Sequence, residues 1–520
     1  MSRIKSIAMY LPQFHRVKEN DEWWGEGFTE WTAVKAAEKY CEEQDQPRKP
    51  KSNCYYDLMD KSIMQWQADL AKKYEIGGFC FYHYYFGDRQ ILEKPAENLL
   101  GWKDIDMPFC FCWANGSWAR TWSNIAGANS WACKFENVDN REKNILLEQK
   151  YGEKRDWRKH LSYLQEFFSD NRYLKKDGRP LFMIYETDRI PCLEEMISYW
   201  KNESISQGYP EPYIIGVNSV KQRSCLDAVV LHGPIAYYTN RINNQEVEKE
   251  IIDGIETFDY LKVCENAGFS KKLSWTKTFW GAFVDYDDTP RRGKKGWFFR
   301  NKSIAAFKKQ IEDLAVKNLA NDNEFLFINA WNEWGEGNYL EPDETNGYAY
   351  LKTVRDVMKT VNDENFDLYR AYFPIYKKMK ENECSKLSDE LRKATEELNK
   401  FRALHQIESC WIEFHSKGVT LSNLLLEKQW KKIVIYGLAA MGINLYNEIK
   451  DSGIDIVAGI DRRSDINIEG LNIISPDADI PKCDAVIVTA VSGYDDIKAM
   501  LCNRNKDILV VSFSELIMEG

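Results

Sequence analysis

Eight short apolar runs recur through the first 345 residues of this 520-residue chain, and most are separated by segments with helical spacing. The runs occupy residues 6–14, 78–86, 108–113, 180–185, 213–217, 228–231, 277–284 and 324–330, and the helical patterns include 63–74, 157–168 and 304–319. Strands that alternate with helices are typical of a parallel sheet, because each helix returns the chain to the start of the next strand. Eight such units predict a (β/α)8 barrel.

Polar and aromatic residues cluster directly after most of these runs. In a (β/α)8 barrel the carboxyl ends of all strands meet at one face, where active sites are built. The chain contains 18 Trp, 28 Tyr and 25 Phe, many of them beside polar residues, a mixture that favours a carbohydrate site over a plain core. The candidate sugar-binding residues are Tyr10, Trp24, Glu30, Trp31, His83, Tyr84, Trp113, Asn115, Trp118, Arg120, Tyr185, Asn332 and Trp334.

The last run leads into the most informative stretch, FLFINAWNEWGEGNYLEPD at residues 325–343. Glu333 and Glu336 are three positions apart, so a helical turn here places them on one face with Cβ atoms roughly 5–6 Å apart. That is close to the roughly 5–5.5 Å between the carboxyl groups of retaining glycosidases. Two carboxylates this close do not both ionise freely, so one pKa rises and that group can act as an acid. We select both as catalytic candidates; the alternative is an acidic surface loop anchored by two tryptophans.

Several candidates have a structural alternative. His83 fits a hydrogen-bonded core histidine as well as a catalytic or binding residue, and Arg120 fits a brace for a loop as well as a ligand for a carboxylate or sugar hydroxyl. Trp24 and Trp31 fit a packed loop core as readily as a sugar platform. Glu30 strengthens the functional interpretation, because a buried carboxylate beside tryptophans needs a hydrogen-bonding partner.

Composition narrows the classes of function. The net charge is −10 and no basic block occurs, so nucleic acid is not an expected partner. We find neither an apolar segment of about 18 residues nor a signal-peptide pattern, and therefore expect a cytoplasmic protein without a membrane span. The 13 cysteines are an odd number, and several lie inside apolar runs, which fits buried thiols in a reducing compartment. No zinc-type CxxC pair occurs, so we expect no metal site.

Six stretches resemble one known family in the right order: AMYLPQFH, NDEWWGEGFTEW, QPRKP, GGFCFYHYYF, MPFCFCWAN and FINAWNEWGEGNYLEP. They are similar to the WbsX-type glycosyltransferase family, itself similar to glycoside hydrolase family 99, the endo-α-mannosidase group. The resemblance runs from about Ile4 to Tyr350. It implies a (β/α)8 barrel that acts on glycosidic bonds without a metal, typically in gene sets for bacterial surface polysaccharides.

The resemblance also implies roles for the two glutamates. Glu333 would be the base that assists attack by the sugar's own 2-hydroxyl group, and Glu336 the acid/base at the glycosidic oxygen. Two features depart from the families. The pattern Trp-Ala-Asn-Glu-Asn-Trp is replaced here by residues 113–118 with Gly116 and Ser117, so a carboxylate is missing. The hydrolases are mostly exported, whereas this chain shows no export signal, which favours intracellular glycan assembly.

A helical segment follows the predicted barrel. Residues 351–358 and 366–379 predict closing helices. A heptad spacing over three repeats then follows, with apolar or small residues at 384, 387, 391, 394, 398 and 401 and a histidine at 405. The segment is either a self-associating or spacer helix, which would allow a homodimer through residues 384–405, or a helix docked on the barrel.

Residues 429–520 predict a small Rossmann-like parallel sheet, because apolar runs and helical segments alternate again. Gly437 and Gly442 fit the ends of a G-x-G-x-x-G pattern, but Ala439 occupies the middle position. Asp461 lies near the position of a ribose-binding acid. The domain therefore either binds a nucleotide or nucleotide sugar through these residues, or serves as a structural or partner-docking module.

We therefore expect three regions: a catalytic barrel at 1–375, a helical linker or short coiled coil at 376–428, and a Rossmann-like domain at 429–520. The expected function is the making or breaking of glycosidic bonds in an oligosaccharide or polysaccharide by a retaining two-glutamate mechanism, in biosynthesis of O-antigen or capsule polysaccharide. The alternatives are a nucleotide-sugar-dependent glycosyltransferase and a catalytically silent glycan-binding scaffold. We expect no cofactor for the barrel.

Overall fold

The computed structural model describes residues 3–87, 89–119, 145–238, 247–463, 465–490 and 493–519. Arg120, one of the candidate sugar-binding residues, lies outside the described residues. The chain divides into two compact units, Met1–Lys380 and Glu381–Gly520.

A ring of parallel strands forms the centre of the first unit. The strands are β1 (Lys5–Tyr10), β2 (Ile76–Tyr85), β3 (Phe109–Trp113), β4 (Arg179–Ile184), β5 (Tyr213–Val217), β6 (Ala228–Leu231), β7 (Lys277–Trp280 and Ala282–Phe283) and β8 (Phe325–Asn329). Neighbouring strands pair in parallel from β1 to β7, and β8 pairs with β1. These are the eight predicted strands, with ends shifted by a few residues.

The seventh strand is split at Gly281, and the split closes the ring. Its first segment pairs with β6 and its second with β8. Between them, the amide of Gly281 donates to the carbonyl of Leu231 at 2.9 Å. A Cβ atom at this position would lie 3.2 Å from the carbonyl oxygen of Phe327, so glycine allows the close approach of the two neighbouring strands. The predicted (β/α)8 barrel is confirmed.

Helices lie between most of the strands and pack against them. The helices of the first unit are Lys18–Trp24, Glu30–Lys35, Lys61–Lys73, Lys94–Gly101, Lys154–Phe168, Leu193–Ser206, Ile235–Tyr238, Tyr260–Phe269, Thr289–Arg292, Ile304–Leu319 and Ala349–Asn362. Single 3-10 turns occur at Lys51–Asn53, Thr187–Arg189, Gly293–Lys295 and Trp334–Glu336. Short additional strands occur at Gln90–Ile91, Trp118–Ala119, Ile145–Leu147, Lys175–Lys176, Lys249–Ile252, Ile255–Asp259, Trp297–Arg300, Asn332–Glu333 and Asn338–Tyr339.

The core explains why the strands read as continuous apolar runs. All five residues of β8 are buried, as expected for a parallel strand covered by the barrel interior on one face and by helices on the other.

The helix Ile304–Leu319 begins where the Ser303 side chain accepts a hydrogen bond from the amide of Ala306, which satisfies a free N–H group of the first turn.

The second unit contains a five-stranded parallel sheet. Its strands are β9 (Lys432–Tyr436), β10 (Asp455–Ile460), β11 (Ile473–Ile474), β12 (Ala485–Val488) and β13 (Val510–Ser512), in the order β11-β10-β9-β12-β13. Counted within the sheet, this is the order 3-2-1-4-5 of doubly wound dinucleotide-binding sheets. The helices are Leu421–Glu427, Ala440–Ile449, Tyr494–Arg504 and Phe513–Glu519.

The first predicted closing helix, at residues 351–358, lies within Ala349–Asn362. The second, at residues 366–379, and the heptad segment belong to one long helix, Leu368–Ser416. Four side chains of the heptad spacing, Leu387, Leu391, Leu398 and Phe401, expose half or more of their surface in the single chain. Self-association through this segment stays a prediction. No helix among the described residues has an apolar stretch long enough to cross a bilayer.

Candidate active site

A cavity of about 170 Å³ opens where the barrel strands end. Its lining comes from the residues that follow β1, β3, β4, β6, β7 and β8 and from the last residues of β2 and β8. These positions form the carboxyl face of the barrel. The lining residues are Leu11, Tyr82, Tyr84, Ala114, Tyr185, His232, Gly233, Pro234, Ile235, Tyr286, Arg291, Asn329, Glu333 and Glu336.

Arg291 connects three carboxylates at the wall of this cavity. Its Nη2 atom lies 2.9 Å from Glu333 Oε2, and its Nη1 atom lies 2.6 Å from Glu336 Oε1. Nε and Nη2 also contact Glu30 Oε1, at 2.8 and 2.7 Å. Arg291 and Glu30 are almost completely buried, and Glu333 is 6% exposed. One guanidinium group therefore holds the candidate catalytic pair together through charge-assisted hydrogen bonds.

The turn that carries the two glutamates is the 3-10 turn Trp334–Glu336, with Glu333 immediately before it. Side chains three residues apart in a 3-10 turn lie on the same face, so Glu333 and Glu336 both point at Arg291. A Cβ atom on Gly335 would lie only 1.7 Å from Glu30 Oε1 and 2.7 Å from Arg291 Nε. Glycine at this position therefore allows the Glu30–Arg291 pair to pack against the turn.

The two glutamates have raised pKa values. Burial and the nearby charge of Glu336 raise the pKa of Glu333 from 4.5 to about 8, against the opposing effect of Arg291. Burial also raises the pKa of Glu336, again opposed by Arg291. Burial of two carboxyl groups beside each other therefore favours a proton on the pair.

The remaining polar lining is neutral. Burial raises the pKa of Tyr82, Tyr84 and Tyr185, so these phenols keep their protons. Burial lowers the pKa of His232 to about 4, so its ring is uncharged at neutral pH. Hydroxyl groups and a neutral imidazole both donate and accept hydrogen bonds, so this lining suits an uncharged polar ligand.

Glu341 stabilises the turn Trp334–Glu336 through hydrogen bonds. Its carboxylate accepts hydrogen bonds from Trp334 Nε1 at 2.7 Å, Gln67 Nε2 at 2.7 Å and the Tyr56 hydroxyl at 2.9 Å. Burial raises its pKa to about 7, and the three donors oppose that shift. This network fixes Trp334 between the two glutamates of the turn.

Five of the predicted residues meet at the cavity or at Arg291. Tyr84, Tyr185, Glu333 and Glu336 line the cavity, and Glu30 contacts Arg291 behind it. These residues come from β2, from the ends of β4 and β8, and from the loop after β1, so only the closed barrel brings them together.

Four others support the turn or pack behind it instead. Tyr10 is fully buried, and its hydroxyl donates to Gln67. Asn332 binds both backbone groups of Leu11 through its side-chain amide, which ties the turn to the end of β1. The other two are tryptophans whose ring centroids lie 5.5 Å apart, Trp31 and Trp334.

Three further candidates lie in the protein core or among aromatic residues. The Nε2 atom of His83 lies 2.9 Å from Nε2 of the buried His160. Trp113 is buried with its ring centroid 5.0 Å from the same histidine. Trp24 is buried with its ring centroid 5.9 Å from that of Phe28.

The last two described candidates lie near the third strand exit. Trp118 packs edge-on against the lining residue Tyr84, with ring centroids 5.3 Å apart. Asn115 binds the backbone N–H and C=O of Glu186. A Cβ atom on Gly116 would lie 2.8 Å from Glu186 Oε2, so a carboxylate from the fourth strand exit stands beside the position where the family pattern has one.

Five polar and aromatic lining residues are not among the candidates predicted from sequence: Tyr82, His232, Tyr286, Arg291 and Asn329. His232 and Arg291 follow strand exits, in the stretches His232-Gly-Pro and Asp288-Thr-Pro-Arg291. Their position after a strand was the available signal. The pairing of Arg291 with carboxylates 42 and 261 residues away has no signal in sequence spacing.

In the second unit, the three residues proposed for a nucleotide site lie close together. The amide of Leu438, next to Gly437, donates to Asp461 Oδ2 at 2.7 Å. A Cβ atom on Gly442 would lie 2.0 Å from the Gly437 carbonyl oxygen. Within the described part of the chain, no group of three or more His, Cys, Asp or Glu side chains is arranged to hold a metal ion.

The paired carboxylates lie at the carboxyl face of a (β/α)8 barrel, the face at which barrel enzymes build their active sites. Residues 6–354 match the model of the family described as Glycosyltransferase WbsX, so the chain belongs to this family. The matched residues end before the second unit. Proteins named "Uncharacterized protein WxcX" from two strains of Xanthomonas campestris pv. campestris are 31% identical over 365 and 370 residues.

These alignments cover 69% of this chain and 50% of each relative, so the chain spans about half the length of the curated relatives it matches. Among solved structures, the GH99 endo-α-mannosidase from Bacteroides thetaiotaomicron is 14% identical. That alignment covers 68% of this chain and 96% of the mannosidase, with a TM-score of 0.41.

Proposed function

We propose that the barrel makes or cleaves glycosidic bonds with retention of anomeric configuration, using Glu333 and Glu336. The observation that carries the proposal is the contact of both carboxylates with the single guanidinium group of Arg291 at the wall of the cavity. Two carboxyl groups held this way can act on one sugar ring, and their raised pKa values make a proton available.

The proposed reaction has two balanced steps. Glu336 donates its proton to the glycosidic oxygen as the bond to the anomeric carbon breaks, while Glu333 takes the proton of the 2-hydroxyl group, whose oxygen bonds to that carbon. In the second step water or an acceptor hydroxyl attacks the same carbon. The bond between this carbon and the 2-oxygen breaks as Glu336 takes the proton of the attacking group and Glu333 returns its proton to the 2-oxygen.

The raised pKa of Glu333 favours a proton on this group in the empty cavity. Its role as a base therefore requires that substrate binding shift the shared proton toward Glu336. In a coupled pair the proton belongs to the pair, so such a shift needs no additional group.

The lining supports a neutral sugar as ligand. The cavity of about 170 Å³ is small beside the roughly 300–1,000 Å³ of sites for drug-sized ligands and suits one sugar ring. Among the described lining residues, Arg291 is the only cationic side chain, and three carboxylates surround it. The nucleoside diphosphate of a nucleotide sugar would meet excess negative charge here. This favours a glycosidase-type reaction over transfer from a nucleotide sugar.

We further propose that the substrate is an oligosaccharide or polysaccharide of a bacterial surface-polysaccharide pathway, of the O-antigen or capsule type, and that the enzyme works in the cytoplasm. The family membership and the sequence resemblance support this assignment. The intact glutamate pair argues against the scaffold alternative, because a glycan-binding protein gains little from two buried carboxylates that share one arginine.

Mass spectrometry of products from a panel of α-linked oligosaccharides tests the proposal. Wild type and Glu333→Gln are incubated in parallel, with and without nucleotide sugars and acceptor glycans. Shortened or rejoined chains that form without nucleotide sugar, and only with wild type, support it. Products that require a nucleotide sugar would establish the transferase alternative, and no product under any condition would favour the scaffold.

The individual roles are separable by leaving group. Glu336→Gln should lose turnover of natural linkages but retain it with an aryl leaving group that needs no protonation. Glu333→Gln should lose turnover of both. The opposite pattern would exchange the two roles.

A further inference from the structure

A second cleft, of about 600 Å³, lies in the C-terminal unit at the carboxyl ends of β9, β10 and β12. It is lined by Tyr436, Gly437, Asp461, Arg462, Ala490, Gly493, Asp496, Ile497 and Met500. The strand order reverses between β9 and β12, and in open parallel sheets ligands bind in the crevice at this point.

In the loop after β9, the backbone at Gly442 lies very close to the backbone at Gly437. Gly437 has φ +93°, a conformation that favours glycine, and Gly442 packs so tightly that a Cβ atom would overlap the Gly437 carbonyl oxygen at 2.0 Å. Thr489 donates to that carbonyl at 2.5 Å, which fixes the loop against the end of β12. The helix Ala440–Ile449 therefore begins directly beside the cleft, with the free N–H groups of its first turn near its edge.

A buried polar group in the cleft lining has no partner in the protein. The hydroxyl of Tyr436, a residue only 5% exposed, makes no hydrogen bond among the described residues. A buried hydroxyl without a partner costs free energy, so a ligand that bonds to it would recover that cost. This observation is independent of the helix terminus.

The charges around the cleft are unevenly matched. Asp461 is engaged, since its carboxylate accepts from the Leu438 amide and from Arg463. Arg462 at the cleft forms no ion pair with any described residue. Asp496, in the first turn of the helix Tyr494–Arg504, is the other acid of the lining. The cleft thus has one available guanidinium group for an anion, and Asp496 supplies a carboxylate that can accept hydrogen bonds from hydroxyl groups.

We propose that this cleft binds a nucleoside diphosphate, free or as part of a nucleotide sugar. The phosphates lie between Arg462 and the start of the helix Ala440–Ile449. The ribose hydroxyls lie near Asp496, and the base packs on Ile497 and Met500. The volume is far larger than a phosphate ion needs, and the apolar wall suits a flat ring. Unlike the barrel cavity, this cleft has a cation available for a diphosphate.

Isothermal titration calorimetry of the full chain tests the inference. The ligands are UDP, ADP and GDP, with inorganic phosphate and the matching nucleosides for comparison. At least one diphosphate should bind saturably and more tightly than phosphate or its nucleoside. Tyr436→Phe should weaken that binding about fivefold, since one hydrogen bond is lost, and Arg462→Ala about tenfold or more. Arg392→Ala, in the exposed Leu368–Ser416 helix, is the matched control and should change nothing.

Two results would overturn the inference: no saturable binding of any of the three diphosphates, or equal binding by wild type and both cleft variants. Glu333→Gln separates this site from the barrel chemistry. This variant should bind the diphosphate as wild type does; loss of binding in it would place the ligand in the barrel instead. A nucleotide sugar that binds as tightly as its diphosphate identifies the diphosphate group as the shared recognition element.

Discussion

The guanidinium group of Arg291 donates to the carboxylate of Glu333 across 2.9 Å, although the two residues follow different strands of the barrel. Arg291 belongs to the segment after β7, and Glu333 follows β8. Because the same arginine also binds Glu30 and Glu336, it supplies the positive charge that allows three carboxylates to lie together in a buried place.

Removal of this positive charge should be costly. We expect Arg291→Met to lower the free energy of unfolding by about 3–5 kcal/mol at pH 7, because it leaves buried carboxylates without a counter-charge. The loss should shrink as the pH is lowered, since protonated carboxyl groups need no counter-charge. Denaturant unfolding at several pH values measures both effects. Arg292→Met, which removes a half-exposed arginine paired with Asp288, should cost about 1 kcal/mol or less, and equal losses in the two variants would contradict the assignment.

Stability should depend on pH through Glu333. A carboxyl group whose pKa is raised on folding stabilises the folded state at low pH and loses that contribution as the pH rises through the folded pKa. With a rise from 4.5 to about 8, wild type should lose stability relative to Glu333→Gln between about pH 5 and pH 8, by up to about 4 kcal/mol. Unfolding curves of both proteins across this range test it. Glu38→Gln, an exposed substitution, should show the same dependence of unfolding free energy on pH as wild type. A difference between wild type and Glu333→Gln that does not change with pH would contradict the prediction.

Gly335 should tolerate no side chain. The Cβ atom of Gly335→Ala would overlap Glu30 Oε1, so either the turn or the Glu30–Arg291 pair must move. We expect a loss of about 1–3 kcal/mol in stability and loss of turnover, measured by thermal unfolding and by product formation. Gly101→Ala is the control, because a Cβ atom there meets nothing within 4 Å. Wild-type activity in Gly335→Ala would show that the described contact is not required.

Glu341 should be irreplaceable by glutamine. Three donors, from Tyr56, Gln67 and Trp334, point at its carboxylate, and a glutamine offers only one acceptor oxygen. Glu341→Gln should therefore leave at least one buried donor unsatisfied and cost about 1–3 kcal/mol in unfolding free energy. Chemical denaturation compares it with the exposed control Glu38→Gln; a difference below the error of that control would exclude the network as a support of the turn.

The barrel could be predicted from the sequence because each strand is buried on both faces and so appears as an apolar run. All eight predicted runs became barrel strands, and the helix predicted at 304–319 has the same bounds as Ile304–Leu319. The break at Gly281 could not be predicted, because its cause is the close approach of Leu231 and Phe327 on the neighbouring strands.

Sequence alone determined which chain positions reach the carboxyl face, since strand exits are local features, and it placed Glu333 and Glu336 on one turn. Only the tertiary structure decided which exit residues line the cavity. In the folded barrel, Tyr84 and Tyr185 line the cavity, whereas His83 lies beside His160. The physical reason is that a strand turns alternate side chains to opposite faces and a closed barrel joins distant exits, so Arg291 meets its carboxylates through space and not through spacing along the chain.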